Sequence, residues 1–210
     1  MFLGFSVFSI IIVSVISGDT VLGVLSSATG VVYTVCNGKG KRIAYVFGLI
    51  NSILYAGISF SAQIYGDAIL YAFYYVPAMV VGFFVWKKFI DESSLEVVRR
   101  KLQIKWRIAL VVICVVGTLI FWWALKILTD DALPFLDAFK TFLSITATVL
   151  AIKRFNEQWA LWTSVNFIEV LVWFFRFADG VENSAVSLTM WVLFFVIGIV
   201  MWFQWSKKTK

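Results

Sequence analysis

Five residues recur at intervals of three or four within one apolar segment: Gln158, Trp162, Asn166, Glu169 and Trp173. Side chains at this spacing share one face of an α-helix, so the pattern predicts a polar stripe along an otherwise apolar helix. Amides and a carboxylate are unfavourable in such surroundings unless a polar group meets them. Amides both donate and accept hydrogen bonds, and aromatic faces attract flat rings, cationic rings most of all. The stripe therefore indicates a binding site for a small, polar, partly flat ligand.

A related pattern occurs about 115 residues earlier in the chain, where Asn51 has an aromatic residue four positions before and after it. At this offset Asn51 matches Asn166. With one residue inserted, two further matches are Tyr75 with Trp191 and Trp86 with Trp202. The matches predict an internal duplication, with the polar site between the two copies.

The composition is that of a membrane protein. Apolar residues make up 61% of the chain and charged residues 14%, whereas soluble domains are about one quarter charged. A helical span needs about 20 apolar residues. Seven segments meet this length: 20–36, 43–63, 66–86, 106–128, 133–152, 157–177 and 183–205. The apolar segment 1–17 is shorter, and whether it crosses the membrane or lies at its interface stays open.

The number of spans predicts how the two copies are oriented. Consecutive units of three spans would be inverted relative to each other, but one span between them makes the units parallel. We therefore predict an all-α integral membrane protein with two parallel three-helix repeats joined by a linker helix, a 3+1+3 arrangement, plus an N-terminal helix. The predicted parts are the N-terminal helix over 1–17, the first repeat over 20–88, a charged linker and linker helix over 89–128, and the second repeat over 133–206. Part of the linker 87–105 is expected to be helical.

The basic residues fall mainly on one side of the predicted spans. Fifteen of the eighteen lysines and arginines lie in alternate loops and at the C-terminus, which predicts a cytoplasmic C-terminus by the positive-inside rule. The net charge of +6 therefore reflects membrane topology, and no nucleic-acid partner is expected. Trp86, Trp202 and Trp205 lie at span ends beside lysines, where tryptophan typically anchors a helix at the bilayer interface.

The usual sequence signals of catalysis are mostly absent. The sequence contains no histidine and no phosphate-binding loop of the G-x-x-x-x-G-K-[ST] type. Cys36 and Cys114 lie far apart in apolar segments, so we expect free thiols. We predict a protein that is not an enzyme and has no cofactor and no metal.

Two charged residues in one span are placed to interact. Asp137 and Lys140 are three positions apart and are expected to pair and neutralise each other. Glu169 would then be the remaining ionisable group deep in the spans and the candidate for proton coupling. A polar site between two copies of a unit in a membrane protein indicates transport, and we favour uncoupled diffusion over such coupling.

Motifs in both predicted repeats resemble the PnuC family. In the first repeat they are Gly38-Lys39-Gly40-Lys41-Arg42 and Gly48-Leu49-Ile50-Asn51, and in the second Leu133-Pro134-Phe135, Asp137-Ala138 and Gln158-Trp159-Ala160-Leu161-Trp162. The resemblance implies a transporter of nicotinamide riboside, an NAD precursor, in the bacterial inner (plasma) membrane. It also implies a fold similar to SWEET sugar transporters, facilitated diffusion through a central site, and trapping of the cargo by a cytoplasmic riboside kinase.

The resemblance and the residue chemistry together give a set of expected substrate-binding residues. Trp159 or Trp162, with Tyr75 or Trp191, would face the cationic ring. The carboxamide and ribose would be bonded by the amides of Gln158, Asn166 and Asn51. Asp137 would orient side chains or balance charge. Glu169, on the same helical face, would complete the set. Ala44-Tyr45 stands where the family often has Trp-Pro, so we expect the second repeat to dominate binding.

Other functions remain to be separated from this one. A SWEET-like sugar carrier would also use asparagine and tryptophan, and a PnuC relative can carry another vitamin such as thiamine. A seven-helix retinal protein needs a lysine deep in its last span, and 183–205 has none. An intramembrane enzyme lacks support from any paired nucleophile and base. The sequence leaves open whether the chain forms a homo-oligomer.

Overall fold

The computed structural model describes residues 2–18, 20–61, 65–128, 134–182 and 184–208. Its α-helices are α1 Phe2–Ser17, α2 Val21–Gly38, α3 Ala44–Ser61, α4 Tyr65–Leu70, α5 Val76–Lys87, α6 Ile104–Leu128, α7 Pro134–Ile152, α8 Gln158–Ala178 and α9 Ser184–Lys208. Seven helical segments in these ranges are long and apolar enough to cross a membrane, α4 and α5 counting as one. The predicted seven spans and separate N-terminal helix are confirmed.

A π-helical turn, Tyr71–Tyr75, joins α4 to α5 within one span. Pro77 stands at the start of α5, where it has no N–H to donate to the preceding turn. The Val76 N–H donates to the Tyr71 carbonyl five residues earlier, as the wider turn requires. This widened turn carries two tyrosines, Tyr71 and Tyr75, that reach the interior of the protein.

Six spans form a ring. Going around it, each helix packs against the next in the order α2, α3, α5, α7, α8 and α9, and α9 returns to α2. We call α2 to α5 the first unit and α7 to α9 the second unit. The third helix of each unit packs on the first helix of the other unit. A two-fold axis through the centre of the ring would give this arrangement. Outside the ring, α6 packs on α7, and α1 packs on α2 and α9.

The linker between α5 and α6, residues 88–103, is not helical, so the expectation of a partly helical linker is wrong. The Asp91 carboxylate accepts hydrogen bonds from the backbone N–H groups of Ser93 and Ser94, which favours a turn over a helix. Hydrogen bonds from the Ser93 hydroxyl and from the Ser94 backbone N–H lower the pKa of Asp91 to about 2. We call residues 88–103 the strap.

The strap runs across one end of the ring. Its Val97 N–H donates to the Gly40 carbonyl, and its Arg100 N–H donates to the Arg154 carbonyl. Glu96 pairs with Lys208 at the end of α9. The strap thus connects the α2–α3 loop, the α7–α8 loop and the C-terminal helix. We call this the basic end of the ring, because the predicted basic loops lie here.

Candidate binding cavity

A central cavity of about 60 Å³ lies inside the ring. Its lining residues are Tyr33, Thr34, Asn37, Gly48, Asn51, Ser52, Tyr71, Tyr75, Met79, Trp159, Trp162, Asn166, Trp191 and Phe194. Six of the nine predicted site residues are among them: Asn51, Tyr75, Trp159, Trp162, Asn166 and Trp191. Both units therefore contribute an asparagine and aromatic rings to one cavity.

The two matched asparagines differ in their surroundings. Asn51 donates from its amide nitrogen to the Ser26 carbonyl at 2.8 Å, which holds it against α2. Gly30 makes this approach possible, since a Cβ there would lie 2.8 Å from the same nitrogen. The Asn166 side chain is buried, and its amide makes no hydrogen bond to another group within the described ranges. Unlike the Asn51 amide, the Asn166 amide keeps all its hydrogen-bond donors and its acceptor available for a ligand.

A third asparagine, Asn37, lines the cavity near the basic end and was not predicted. Its oxygen Oδ1 is buried and accepts no hydrogen bond from the described residues, and the Trp159 indole N–H likewise has no partner there. Neighbouring Gly38 and Lys39 gave Asn37 the appearance of a loop residue, but it lies in the last turn of α2. One acceptor and one donor are thus unsatisfied beside the cavity, which a polar ligand would satisfy.

Gln158, also predicted to contact the ligand, is buried and is not among the residues that line the cavity. It begins α8, and its Oε1 lies 3.5 Å from the amide nitrogen of Asn37. It therefore supports Asn37 from behind. Asp137 and Glu169 also lie outside the cavity lining, because both belong to a charged cluster nearer the other end of the ring.

Lys140 is the centre of that cluster. Its ammonium lies 3.0 Å from Asp67, 3.2 Å from Glu169 and 3.6 Å from Asp137. The predicted Asp137–Lys140 pair exists but is the longest of the three contacts. The expectation that these two neutralise each other and leave Glu169 unpaired is wrong, because α4 and α8 bring Asp67 and Glu169 closer to the ammonium. We call these four residues the charged cluster.

An aromatic cluster of four rings lies between the charged cluster and the central cavity. The Tyr55 hydroxyl accepts hydrogen bonds from the indoles of Trp173 and Trp191, at 3.0 Å and 3.2 Å. The Tyr71 ring packs on Tyr55 with ring centroids 4.5 Å apart. Tyr55 and Tyr71 belong to the first unit and the two tryptophans to the second. The aromatic cluster therefore joins the units on this side of the cavity.

Two buried tryptophans join the units at the basic end. The Trp86 indole donates to the Ala151 carbonyl at 3.1 Å, and the Trp205 indole donates to the Gly38 carbonyl at 2.6 Å. Both side chains are fully buried, whereas Trp202 is 41% exposed. The expectation of interfacial anchors is wrong for Trp86 and Trp205. The sequence match places Trp202 opposite Trp86, but it is Trp205 whose indole donates to the other unit as the Trp86 indole does. We call these two hydrogen bonds the indole bridges.

A larger cavity, of about 630 Å³, lies outside the ring between α6, α7 and α8. Its walls are mostly aliphatic and aromatic, and Lys101, Arg107 and Glu157 lie near its basic end. Arg107 and Glu157 are paired with each other at 2.8 Å. Despite its size, this cavity lacks the converging amides of the central one. We therefore take the central cavity as the candidate ligand site.

The lining of the central cavity is neutral and aromatic. None of its lining residues is Asp, Glu, Lys or Arg. Among the described residues, no group of three His, Cys, Asp or Glu side chains is placed to hold a metal ion. The groups on the walls are amides, hydroxyls, a free indole N–H and ring faces. Such a set can bind and orient a polar ring compound but offers no nucleophile with an adjacent base.

Comparison with known proteins gives one consistent family. Residues 20–207 match the family model described as nicotinamide mononucleotide transporter. Two curated relatives are both called nicotinamide riboside transporter PnuC. The one from Neisseria mucosa is 35% identical over 100% of this chain and 80% of its own length. The one from Haemophilus influenzae is 28% identical over 91% of this chain and 82% of its own length.

A solved structure has the same fold. The crystal structure of the vitamin B3 transporter PnuC superposes with a TM-score of 0.88 at 34% sequence identity. The match covers 98% of this chain and 89% of the other. The all-helical arrangement of seven spans and an N-terminal helix is thus that of a solved transporter.

Proposed function

The chain belongs to the nicotinamide mononucleotide transporter family, and on this premise we propose that it carries nicotinamide riboside across the membrane through the central cavity. One observation carries the proposal. Both units line the cavity with an asparagine and aromatic rings, and two buried polar groups there, Asn37 Oδ1 and Trp159 Nε1, lack partners among the described residues. The cargo passes unchanged, because the cavity offers binding groups and no catalytic pair.

The ring of the riboside fits between Tyr75 and Trp162. Their ring centroids are 6.3 Å apart and their planes differ by 35°. A flat ring between two others needs about 7 Å, which is two contact distances of ~3.5 Å, so a small movement suffices. A cationic pyridinium gains about 1–2 kcal/mol from such faces once it is desolvated. Asn166 then bonds the carboxamide or ribose, and Asn37 and Trp159 supply the other hydrogen bonds.

The neutral walls favour the riboside over its phosphorylated form. Phosphate is usually bound by arginine, lysine or a cluster of backbone N–H groups. The lining residues include no Lys or Arg, and the charged cluster beyond the aromatic residues holds three carboxylates against one ammonium. Nicotinamide mononucleotide would therefore bind more weakly than the riboside. A neutral sugar would lack the cation–aromatic attraction.

Transport requires the ring to change shape. The central cavity of about 60 Å³ is smaller than the roughly 300–1,000 Å³ of ordinary ligand pockets, so the two units must separate to admit the riboside. Contacts between units occur on both sides of the cavity, in the aromatic cluster and in the indole bridges. Rocking of one unit against the other would open one side while the other side stays closed.

The basic end faces the cytoplasm in this proposal, with the protein in a bacterial inner membrane. Movement is facilitated diffusion, and a cytoplasmic riboside kinase traps the cargo by adding a phosphate that the cavity does not bind. The riboside is a cation, so its equilibrium also depends on the membrane potential. Liposomes that contain the purified protein but no kinase, kept at zero membrane potential, should therefore reach equal concentrations inside and outside. Accumulation above the external concentration under that condition would contradict uncoupled diffusion.

Calorimetric titration of the purified protein tests the site. We expect Asn166→Ala to weaken nicotinamide riboside binding more than tenfold, because a polar ligand group then stays unpaired, which costs about 1–3 kcal/mol. Trp202→Ala is the matched control, since Trp202 is on the outside of the ring. Nicotinamide mononucleotide and glucose should bind more weakly than the riboside. Unchanged binding by Asn166→Ala would place the site elsewhere.

A further inference from the structure

The charged cluster has more negative than positive groups. Asp67, Asp137 and Glu169 are three carboxylates around the single ammonium of Lys140, which gives these four side chains a formal charge of minus two. The side chains of Asp67, Lys140 and Glu169 are at most 7% exposed. An excess of buried negative charge is unfavourable unless a cation is attracted to it.

One carboxylate oxygen in the cluster is free. Glu169 contacts Lys140 through Oε1, while its Oε2 is buried and accepts no hydrogen bond from the described part of the chain. Glu169 lies one helical turn from Asn166, about 4.5 Å further along α8 at the usual rise of 1.5 Å per residue. The free oxygen is therefore on the cavity wall helix, immediately beyond the proposed ligand site.

The cluster also lies between the two units. Asp67 comes from α4 in the first unit, whereas Lys140 and Glu169 come from α7 and α8 in the second. A ligand that enters from this end passes the cluster and the aromatic residues before it reaches Asn166. The charge of the ligand therefore affects both its approach to the cavity and its binding in it.

We propose that the charged cluster makes this transporter selective for ligands with a permanent positive charge, with Glu169 as the specificity-determining residue. Lys140 serves as the resident cation that holds the three carboxylates together when no ligand is bound. An arriving cation lowers the free energy of the excess negative charge, whereas a neutral ligand of the same shape does not. This inference rests on the proposed function, because it concerns the same cavity.

A pair of ligands that differ in charge but little in shape tests it. Nicotinamide riboside is a cation, and 1,4-dihydronicotinamide riboside carries one added hydride, which removes the charge and keeps the carboxamide and ribose. We expect the parent protein to bind the cation roughly 10- to 30-fold more tightly. This range corresponds to unit charges about 8–12 Å apart at an effective dielectric constant of about 20.

Variants identify the source of the preference. Glu169→Gln keeps the shape and removes the charge, and it should reduce the ratio of the two dissociation constants to within about threefold. Asn166→Ala is the control, because it should weaken both ligands and leave the ratio largely unchanged. Asp137→Asn provides a second test if Glu169→Gln does not fold, since the Asp137 side chain is 46% exposed and less important for packing.

The outcomes separate the two proposals. A reduced ratio in Glu169→Gln, or a smaller reduction in Asp137→Asn, supports charge selection by the cluster. Equal binding of both ligands by the parent would overturn this inference while leaving the transport proposal intact. An unchanged ratio in the carboxylate variants would also overturn it and make the cluster a structural link between units. Failure of the parent to bind either ligand would instead overturn the proposed function and this inference with it.

Discussion

The indole bridge of Trp205 makes a measurable contribution to stability. Its N–H donates at 2.6 Å to the Gly38 carbonyl, and its ring packs edge-on against Trp159 with centroids 5.9 Å apart. Trp205→Phe keeps most of the buried ring and removes the donor. The Gly38 carbonyl then stays buried without this partner, which costs about 2 kcal/mol. For a chain of this length that corresponds to a fall of about 4–8 °C in the melting temperature.

Thermal unfolding of the purified protein in detergent measures this effect. Trp205→Ala also leaves a void, so its loss should be larger, about 3–5 kcal/mol. Trp202→Phe is the matched control, three residues away on the same helix, and should melt close to the parent. The reasoning is refuted if Trp205→Phe melts with the parent while Trp202→Phe does not. In that case the exposed indole, and not the buried one, would stabilise α9.

Three further predictions follow from the contacts around the cavity and the strap. Gly30→Ala should weaken riboside binding several-fold, because the added Cβ would displace the Asn51 amide. Gly57→Ala is the control and should bind like the parent, since a Cβ there would have nothing within 4 Å. Calorimetric titration compares the two variants. Asn51→Ala should weaken binding less than Asn166→Ala in the same assay, because the Asn51 amide is already bonded to Ser26. Partial burial alone would raise the pKa of Glu96, but hydrogen bonds from Arg99 and Lys208 lower this pKa below its ordinary value. The contribution of Glu96 to holding the strap should therefore be present at neutral pH and be lost as the pH falls through that lowered pKa. Hydrogen exchange of residues 88–103 measures the release, and Glu96→Gln should remove its pH dependence.

The spans and the polar stripe were predictable because each depends on local spacing. Every predicted span overlaps one helical span of the structure, and the boundaries differ by a few residues. Gln158, Asn166, Glu169 and Trp173 are buried, as a helical face of that period requires. The predicted bounds of the two repeats remain a prediction, although the packing order of the helices is the one expected from a two-fold axis.

Contacts between distant segments were not predictable from spacing. Spacing predicts that Asp137 pairs with Lys140, three residues away, but the carboxylate nearest to that ammonium is Asp67, 73 positions earlier in the chain. Only the order of the helices around the ring brings α4 beside α7. Similarly, Trp202 and Trp205 both end a span beside lysines, and the sequence does not show which of them turns toward α2.

The symmetry of the indole bridges affects how the protein prevents leakage of small ions. Each bridge runs from the third helix of one unit to the first helix of the other, so a single rotation of one unit breaks both at the same time. With net contributions of about 0.5–1.5 kcal/mol each, their joint loss costs about 1–3 kcal/mol. The two bridges therefore stabilise the closed form at the basic end together, and neither is lost without the other. A half-open pore, through which ions could pass, would lose both bridges just as the fully open form does, so the bridges favour the closed form over it.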